Sequence, residues 1–205
     1  MKNKLQYISQ GLNLKEQKQN IQNALDHGAD WIQVRWKNAS EKELRILSET
    51  TRIWCTGYDA VCIINDHIHI AKETDADGVH LGLNDDSIQK ARTLLGKGKI
   101  IGGTANTLND VIQRIREQCD YIGLGPFRFT ATKSNLSPVL GIKGYVSVIQ
   151  QLKTLDIAVP PVYAIGGIEY NDIAELMQTG ISGIAVSGMI TQKPDCIIKI
   201  LNQLK

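Results

Sequence analysis

Trp31-Ile32-Gln33-Val34-Arg35-Trp36-Lys37 is the stretch from which the rest of the chain is read. It is a short apolar run that ends in alternating polar and basic side chains. On a β-strand, residues i, i+2 and i+4 project to one face. Gln33, Arg35 and Lys37 are therefore expected to point together at a strand end, an amide beside two cations. Two positive charges on one strand face suit a polyanion such as a diphosphate.

Seven further runs of the same kind follow the pattern. The strands expected are Leu5–Ser9, Trp31–Trp36, Ala60–Asn65, Gly78–Leu81, Lys99–Gly102, Tyr121–Gly125, Val162–Ile165 and Gly183–Val186. Most are apolar throughout, as in a parallel sheet covered on both faces. Amphipathic stretches alternate with them: Leu14–His27, Ser40–Trp54, a shorter His67–Glu73, Ser87–Leu95, Thr107–Gln118, Lys143–Leu152, Asn171–Gln178 and Asp195–Gln203. Gly28, Gly57, Gly96 and Gly180 follow helical runs, where a left-handed cap favours glycine. Ser40, Asn171 and Asp195 suit helix starts. Eight βα units predict an α/β fold, a (β/α)8 TIM barrel occupying residues 1–205 as a single domain. A doubly wound open sheet is the structural alternative. In a barrel, the chemistry sits at the C-terminal strand ends.

Composition narrows the function. The chain has 205 residues, 42% of them hydrophobic and 21% charged, with a net charge of +2. Such a balance lacks the basic excess of a general nucleic-acid binder. No apolar run approaches the length of a membrane span. The scattered cysteines Cys55, Cys62, Cys119 and Cys196 form no Cys-x-x-Cys pair and read as reduced thiols of a cytoplasmic protein. The partners expected are small-molecule substrates and at most further copies of the chain, with no nucleic acid and no membrane.

The polar residues after each strand carry the chemistry. Asn65-Asp66 follows the third strand, and Gly82-Leu83-Asn84-Asp85-Asp86 the fourth. Carboxylates from adjacent strand ends can converge on one hard cation, and Mg2+ takes one or two of them. Asp66 and Asp85 are the metal candidates, and Asp86 reads as a helix cap. His67 and His69 stand two apart and share no helix face, which argues against a metal pair. His27 and His80 have no partner visible in the sequence. Thr104, after the fifth strand, is open between binding a heterocycle and capping the next helix. Thr130, Thr132 and Lys133 lie in a long aperiodic segment after the sixth strand and suit phosphate binding. Gly166-Gly167 and Ser187-Gly188, after the seventh and eighth strands, suit a backbone phosphate site. Two anion regions on one rim fit a reaction in which a diphosphate leaves and a phosphorylated second substrate attacks. No Ser/His/Asp triad or Cys/His pair is apparent.

Over essentially its full length the chain resembles the thiamine phosphate synthase (thiamine-phosphate pyrophosphorylase) family. The resemblance rests on Gln33-x-Arg35-x-Lys37, Ile64-Asn65-Asp66, Ala76-Asp77-Gly78-Val79-His80-Leu81-Gly82, Asp120–Pro126, Thr130-Ala131-Thr132-Lys133 and Ile165-Gly166-Gly167-Ile168. It implies a TIM-barrel transferase that joins hydroxymethylpyrimidine diphosphate to thiazole phosphate through a dissociative, Mg2+-assisted reaction. By that match Gln33, Arg35, Lys37, Asn65, Thr104 and Lys133 contact the pyrimidine diphosphate. Asp66 and Asp85 hold Mg2+, and Thr130, Thr132, Gly167, Val186 and Ser187 hold the thiazole phosphate. The chain departs from the family pattern at Leu83 (commonly Gln), Thr104 (Ser), Asn106 (His), Phe127-Arg128-Phe129 and Ser134 (a second Lys). Arg128 either adds a cation to the loop or is simply solvated. The rival readings are a thiazole tautomerase of the same fold, a non-catalytic homologue that binds thiazole phosphate or thiamine phosphate in regulation, and a general phosphosugar barrel enzyme.

Overall fold

The computed structural model describes residues 3–129, 138–155 and 157–204. Its eight strands are β1 (Leu5–Ile8), β2 (Trp31–Val34), β3 (Val61–Asn65), β4 (Gly78–Leu81), β5 (Ile100–Ala105), β6 (Tyr121–Leu124), β7 (Val162–Ile165) and β8 (Gly183–Val186). They pair in parallel and in chain order, and β8 returns to β1 to close the barrel. The helices between them are α1 (Leu14–Asp26), α2 (Glu41–Gly57), α3 (Ile68–Glu73), α4 (Ile88–Leu95), α5 (Leu108–Arg116), α6 (Gly141–Thr154), α7 (Ile173–Gln178), α8 (Gly188–Gln192) and α9 (Cys196–Gln203).

The barrel predicted from the strand count is the fold found, and the open sheet is excluded by closure. Most boundaries shift by a residue or two, and three differences stand out. β2 stops at Val34, because beyond it the Arg35 amide turns to the Ser9 hydroxyl at 2.9 Å. β5 runs on through Ala105, where a capping box of Thr107 and Asp110 starts α5. A short helix, α8, precedes the α9 expected at the C-terminal end. Ser40 caps α2 with a full capping box to Glu43, as its Ser-x-x-Glu spacing allows. Gly28, Gly96 and Gly180 adopt positive φ, whereas Gly57 lies within the last turn of α2. Asn171 belongs to a short 3-10 turn, and Asp195 precedes α9 without a side-chain cap bond.

The barrel interior is layered. At its N-terminal end Trp31, Ile63, Tyr121 and Tyr163 form a small core of their own, packed against Val61 and Ile100. Trp31 meets Tyr121 and Tyr163 edge-to-face, each at 4.9 Å between ring centroids. Each such contact adds about 0.5–1.5 kcal/mol beyond the burial of its area. Gly102 makes room for this plug: a Cβ there would lie 2.1 Å from the Tyr121 ring. Outside the strands a larger core packs the helices onto the sheet, with Leu25, Leu47, Ile70, Val111, Tyr145 and Ile200 among its members. No helix among the described residues is long and apolar enough to cross a membrane.

Candidate active site

Above the aromatic plug the interior turns polar. Gln6, Gln33, His80 and Thr104 are buried there on β1, β2, β4 and β5. The Gln33 amide donates to Gln6 Oε1 at 3.0 Å, and the Gln6 amide donates to the Tyr121 hydroxyl at 3.2 Å. Tyr121 Oη lies 3.0 Å from His80 Nδ1, and His80 Nε2 lies 2.9 Å from Thr104 Oγ1. His80 therefore has partners that its sequence context did not reveal. Thr104 is inside β5, and Thr107 is the cap of α5, which removes the capping alternative for Thr104.

Arg35 sits just above this belt. Ser9 Oγ accepts from its amide, and Gln17 donates to its carbonyl at 3.4 Å. Burial lowers the Arg35 pKa, and the Asp66 carboxylate opposes that effect. Arg35 and Lys37 form no ion pair within 4.0 Å among the described residues, although both act on Asp66 through charge. Among the described residues both stand just past the end of β2 without an ion-pair partner.

Asp66 follows β3 in a left-handed conformation, φ 64°, with its amide bonded to the His80 carbonyl at 2.9 Å. Aspartate is among the few non-glycine residues that adopt this region readily. Asp85 is held in the loop after β4 by the Gly82 amide at 2.6 Å. The two carboxyl groups meet. Burial first, and then the hydrogen bond and charge of Asp85, push the Asp66 pKa up to about 7, against the pull of Lys37 and Arg35. Two carboxylates crowded in this way are a hard-oxygen donor pair whose mutual repulsion a divalent cation would relieve. No cluster of three or more acidic, His or Cys ligands occurs among the described residues. That leaves a two-carboxylate set, which suits Mg2+ better than a metal held wholly by protein. Asp86 is not the cap expected of it: Ser87 caps α4, and Asp86 pairs with Lys90 at 2.7 Å. His67 and His69 stack edge-to-face at 5.7 Å, with His69 turned toward Glu41.

The other side of the rim is built from backbone. Gly166 and Gly167 have φ of 89° and 69°. A Cβ on Gly166 would lie 2.8 Å from Pro126 Cβ. The Arg128 amide donates to the Gly166 carbonyl at 3.0 Å, and its guanidinium donates to the Gly167 carbonyl at 2.6 Å. The same guanidinium grips both oxygens of Asp172 at 2.9 Å and packs over Phe127. Arg128 is thus not a spare cation: though its side chain remains 43% exposed, it ties the loop after β6 to the glycines after β7. Val186 ends β8, and the Ser187 hydroxyl donates to Gln10 at 3.2 Å. Asn106 donates to the Gly125 carbonyl, joining the ends of β5 and β6.

The described structure brings Gln33, Arg35, Lys37, Asn65, Asp66, Thr104 and Asp85 to the ends of β2–β5, and Gly167, Val186 and Ser187 to the ends of β7 and β8. Thr130, Thr132 and Lys133 lie outside the described residues. Sequence reading missed the supports of this site: Gln6, Ser9, Gln17, Tyr121 and Arg114. Buried Arg114 of α5 donates to the carbonyls of Thr104 and Gly82, each at 3.0 Å. One signal was present, namely isolated polar residues within apolar strands (Gln6, His80). A cavity of about 430 Å³ between α6 and the start of β7 lies away from these residues.

Known proteins similar to the chain fall in one family. Residues 6–190 match the family model described as thiamine monophosphate synthase. A thiamine-phosphate synthase of Flavobacterium psychrophilum is 55% identical over 205 residues, covering 99% of both chains. One from Bacteroides fragilis is 49% identical over 172 residues, 84% of each chain. The solved thiamine phosphate pyrophosphorylase of Pyrococcus furiosus superposes with a TM-score of 0.83 at 30% identity, covering 99% of this chain and 97% of its own.

Proposed function

The chain is an enzyme of the thiamine monophosphate synthase family, a transferase, and on that premise we propose that its rim joins hydroxymethylpyrimidine diphosphate to thiazole phosphate, releasing diphosphate. The observation that carries this reading is the meeting of Asp66 with Asp85 beside the free cations Arg35 and Lys37. A phosphate site alone would not need that group, so it speaks against the tautomerase.

Asp66 and Asp85 would hold Mg2+, which when bound supplies positive charge to offset that developing on the departing diphosphate. Arg35 and Lys37 would lie against the diphosphate oxygens, and Lys133 would join them. The bond from the pyrimidine methylene carbon to the diphosphate oxygen breaks, and its electron pair leaves with the diphosphate. The methylene cation that remains is captured by the lone pair of the thiazole nitrogen. No protein nucleophile is required, so the chain's task is orientation and charge stabilisation. Gln33, Asn65 and Thr104 would hold the pyrimidine diphosphate. Thr130, Thr132, Gly167, Val186 and Ser187 would hold the thiazole phosphate. The cysteines are all unpaired and buried, which supports a reducing, cytoplasmic setting.

The test is to give the purified protein both substrates and Mg2+ and to follow diphosphate and thiamine phosphate together. Both products should form in equal amounts and stop on chelation. Thiazole phosphate bound without product would overturn the synthase reading.

A further inference from the structure

The sheet does not set the direction of Arg35. β2 ends at Val34, so the ladder that fixes Gln33 stops one residue short of the guanidinium. Two side chains from neighbouring elements grip Arg35 instead. Ser9, just past β1, accepts from the Arg35 amide at 2.9 Å. Gln17, in the first turn of α1, donates to the Arg35 carbonyl at 3.4 Å and to the Gly11 carbonyl at 3.2 Å. Both Ser9 and Gln17 are buried. The chain between them is seated tightly: a Cβ on Gly11 would lie 2.6 Å from the Gln17 backbone nitrogen. Ser9 is itself tied to β2, its amide donating to the Gln33 carbonyl at 2.8 Å. The Gln17 amide faces two carbonyls, which only its nitrogen can meet, so chemistry fixes its orientation. Its Oε1 is left buried without a partner among the described residues. A buried oxygen with no donor opposes folding, so packing alone gives no reason for an amide here; its two donated bonds do.

We infer that Ser9 and Gln17 are positioning residues, which clamp the Arg35 peptide at its amide and its carbonyl and thereby aim the guanidinium at a diphosphate. The inference rests on the reaction proposed above and deepens it, because it says how a cation beyond the strand end is held ready. An arginine on an untethered segment would lose affinity to the cost of ordering it on binding. With its backbone fixed beforehand, that ordering is done when the chain folds. Ser9 and Gln17 carry no charge, so their effect on an anion passes through Arg35. A second tie of the same loop is separate from the clamp: Asn20 of α1 donates to the Gln10 carbonyl at 2.8 Å and has no bond to Arg35 among the described residues.

Calorimetry of inorganic diphosphate binding to the full-length protein, with Mg2+ present, tests the clamp. Ser9→Ala and Gln17→Leu, the second of which also removes the orphaned oxygen, should each weaken binding by about three- to tenfold. Introduced into Arg35→Ala, the same substitutions should change the remaining affinity by less than about twofold, because the side chain through which they act is gone. Asn20→Ala loosens the loop but not the clamp, and should bind diphosphate as the native chain does. In turnover, KM for the pyrimidine diphosphate should rise in both clamp variants while KM for thiazole phosphate holds. The inference is overturned by losses that persist undiminished in the Arg35→Ala background, by an equal loss in Asn20→Ala, by an equal rise in both KM values, or by a native chain that does not bind diphosphate. The synthase reading stands or falls separately, on whether the native chain forms thiamine phosphate from both substrates.

Discussion

The two halves of the rim are built by opposite means. Beside β2–β4, Arg35 and Lys37 are left without ion-pair partners among the described residues, and Asp66 is crowded by Asp85. Beside β7 and β8 the cation Arg128, in the described part of the loop after β6, is already paired with Asp172, and glycine backbone lies beside it. The first half holds cations without ion-pair partners, and crowded carboxyl groups, among the described residues. The second is electrostatically settled. A leaving diphosphate gains negative charge during the reaction, so on the proposed reading unpaired cations would act on it in the transition state. A phosphate that only has to be held in place needs shape and amides, which cost little in folding.

The largest effect expected from this contrast is at Arg35. Arg35→Ala should lower kcat/KM by about 10²–10³-fold, because a preorganised donor to the leaving group is lost. Pyrimidine diphosphate binding, followed by calorimetry, should weaken far more than thiazole phosphate binding. Equal losses for both substrates would break the division into halves.

Arg128→Ala should act on the other half alone, and more gently. The glycine loop loses its tie, and KM for thiazole phosphate should rise by about three- to tenfold with kcat nearly unchanged. Steady-state kinetics with each substrate varied in turn decides it. A comparable rise in KM for the pyrimidine diphosphate would mean that the loops after β6 and β7 serve both anions.

The smallest effect is one of stability, and it sharpens the contrast in the absence of metal. The folded pKa of Asp66, about 7, lies above the ordinary 3.8. A carboxyl group with a raised folded pKa binds its proton more tightly in the folded state. Its ionisation therefore opposes folding as pH climbs from 3.8 toward 7, and fully so above that. Asp66→Asn, which also tolerates the left-handed backbone, should melt higher than the native protein at pH 8 without Mg2+. The gain is about 1–2 kcal/mol once partial exposure is allowed for, and it should vanish near pH 4. Thermal melts across that range measure it. A variant less stable than native at pH 8 would show that the half is not strained.

Much of this was written in the chain's local pattern. Apolar runs at regular spacing predict the barrel, and a polar residue after each run predicts the rim. What local pattern could not carry is pairing at a distance. Gln6 reaches Tyr121 across 115 residues, and Arg128 reaches Asp172 across 44. Arg114 sits on an amphipathic helix where an arginine ordinarily faces water, yet it is buried against the ends of two strands. In parallel strands that are apolar on both sides, alternation does not say which face is the barrel interior. His80 and Tyr121 thus gave no sign of sharing a layer. The end of β2 differs from the expectation for a similar reason: the Ser9 hydroxyl that turns the chain at Arg35 comes from the residue just past β1.

That Ser9 contact links binding to assembly. β1 is the strand that closes the ring, lying between β8 and β2, and it brings both Gln6 and Ser9 to the supports of Gln33 and Arg35. A chain whose ring is open would lack the Ser9 hold on the Arg35 backbone and the Gln6 hold on Gln33. If the diphosphate binds there as proposed, its affinity belongs to the closed barrel, and by mass action the substrate would draw the population toward closure at that seam, a folding ligand as well as a reactant.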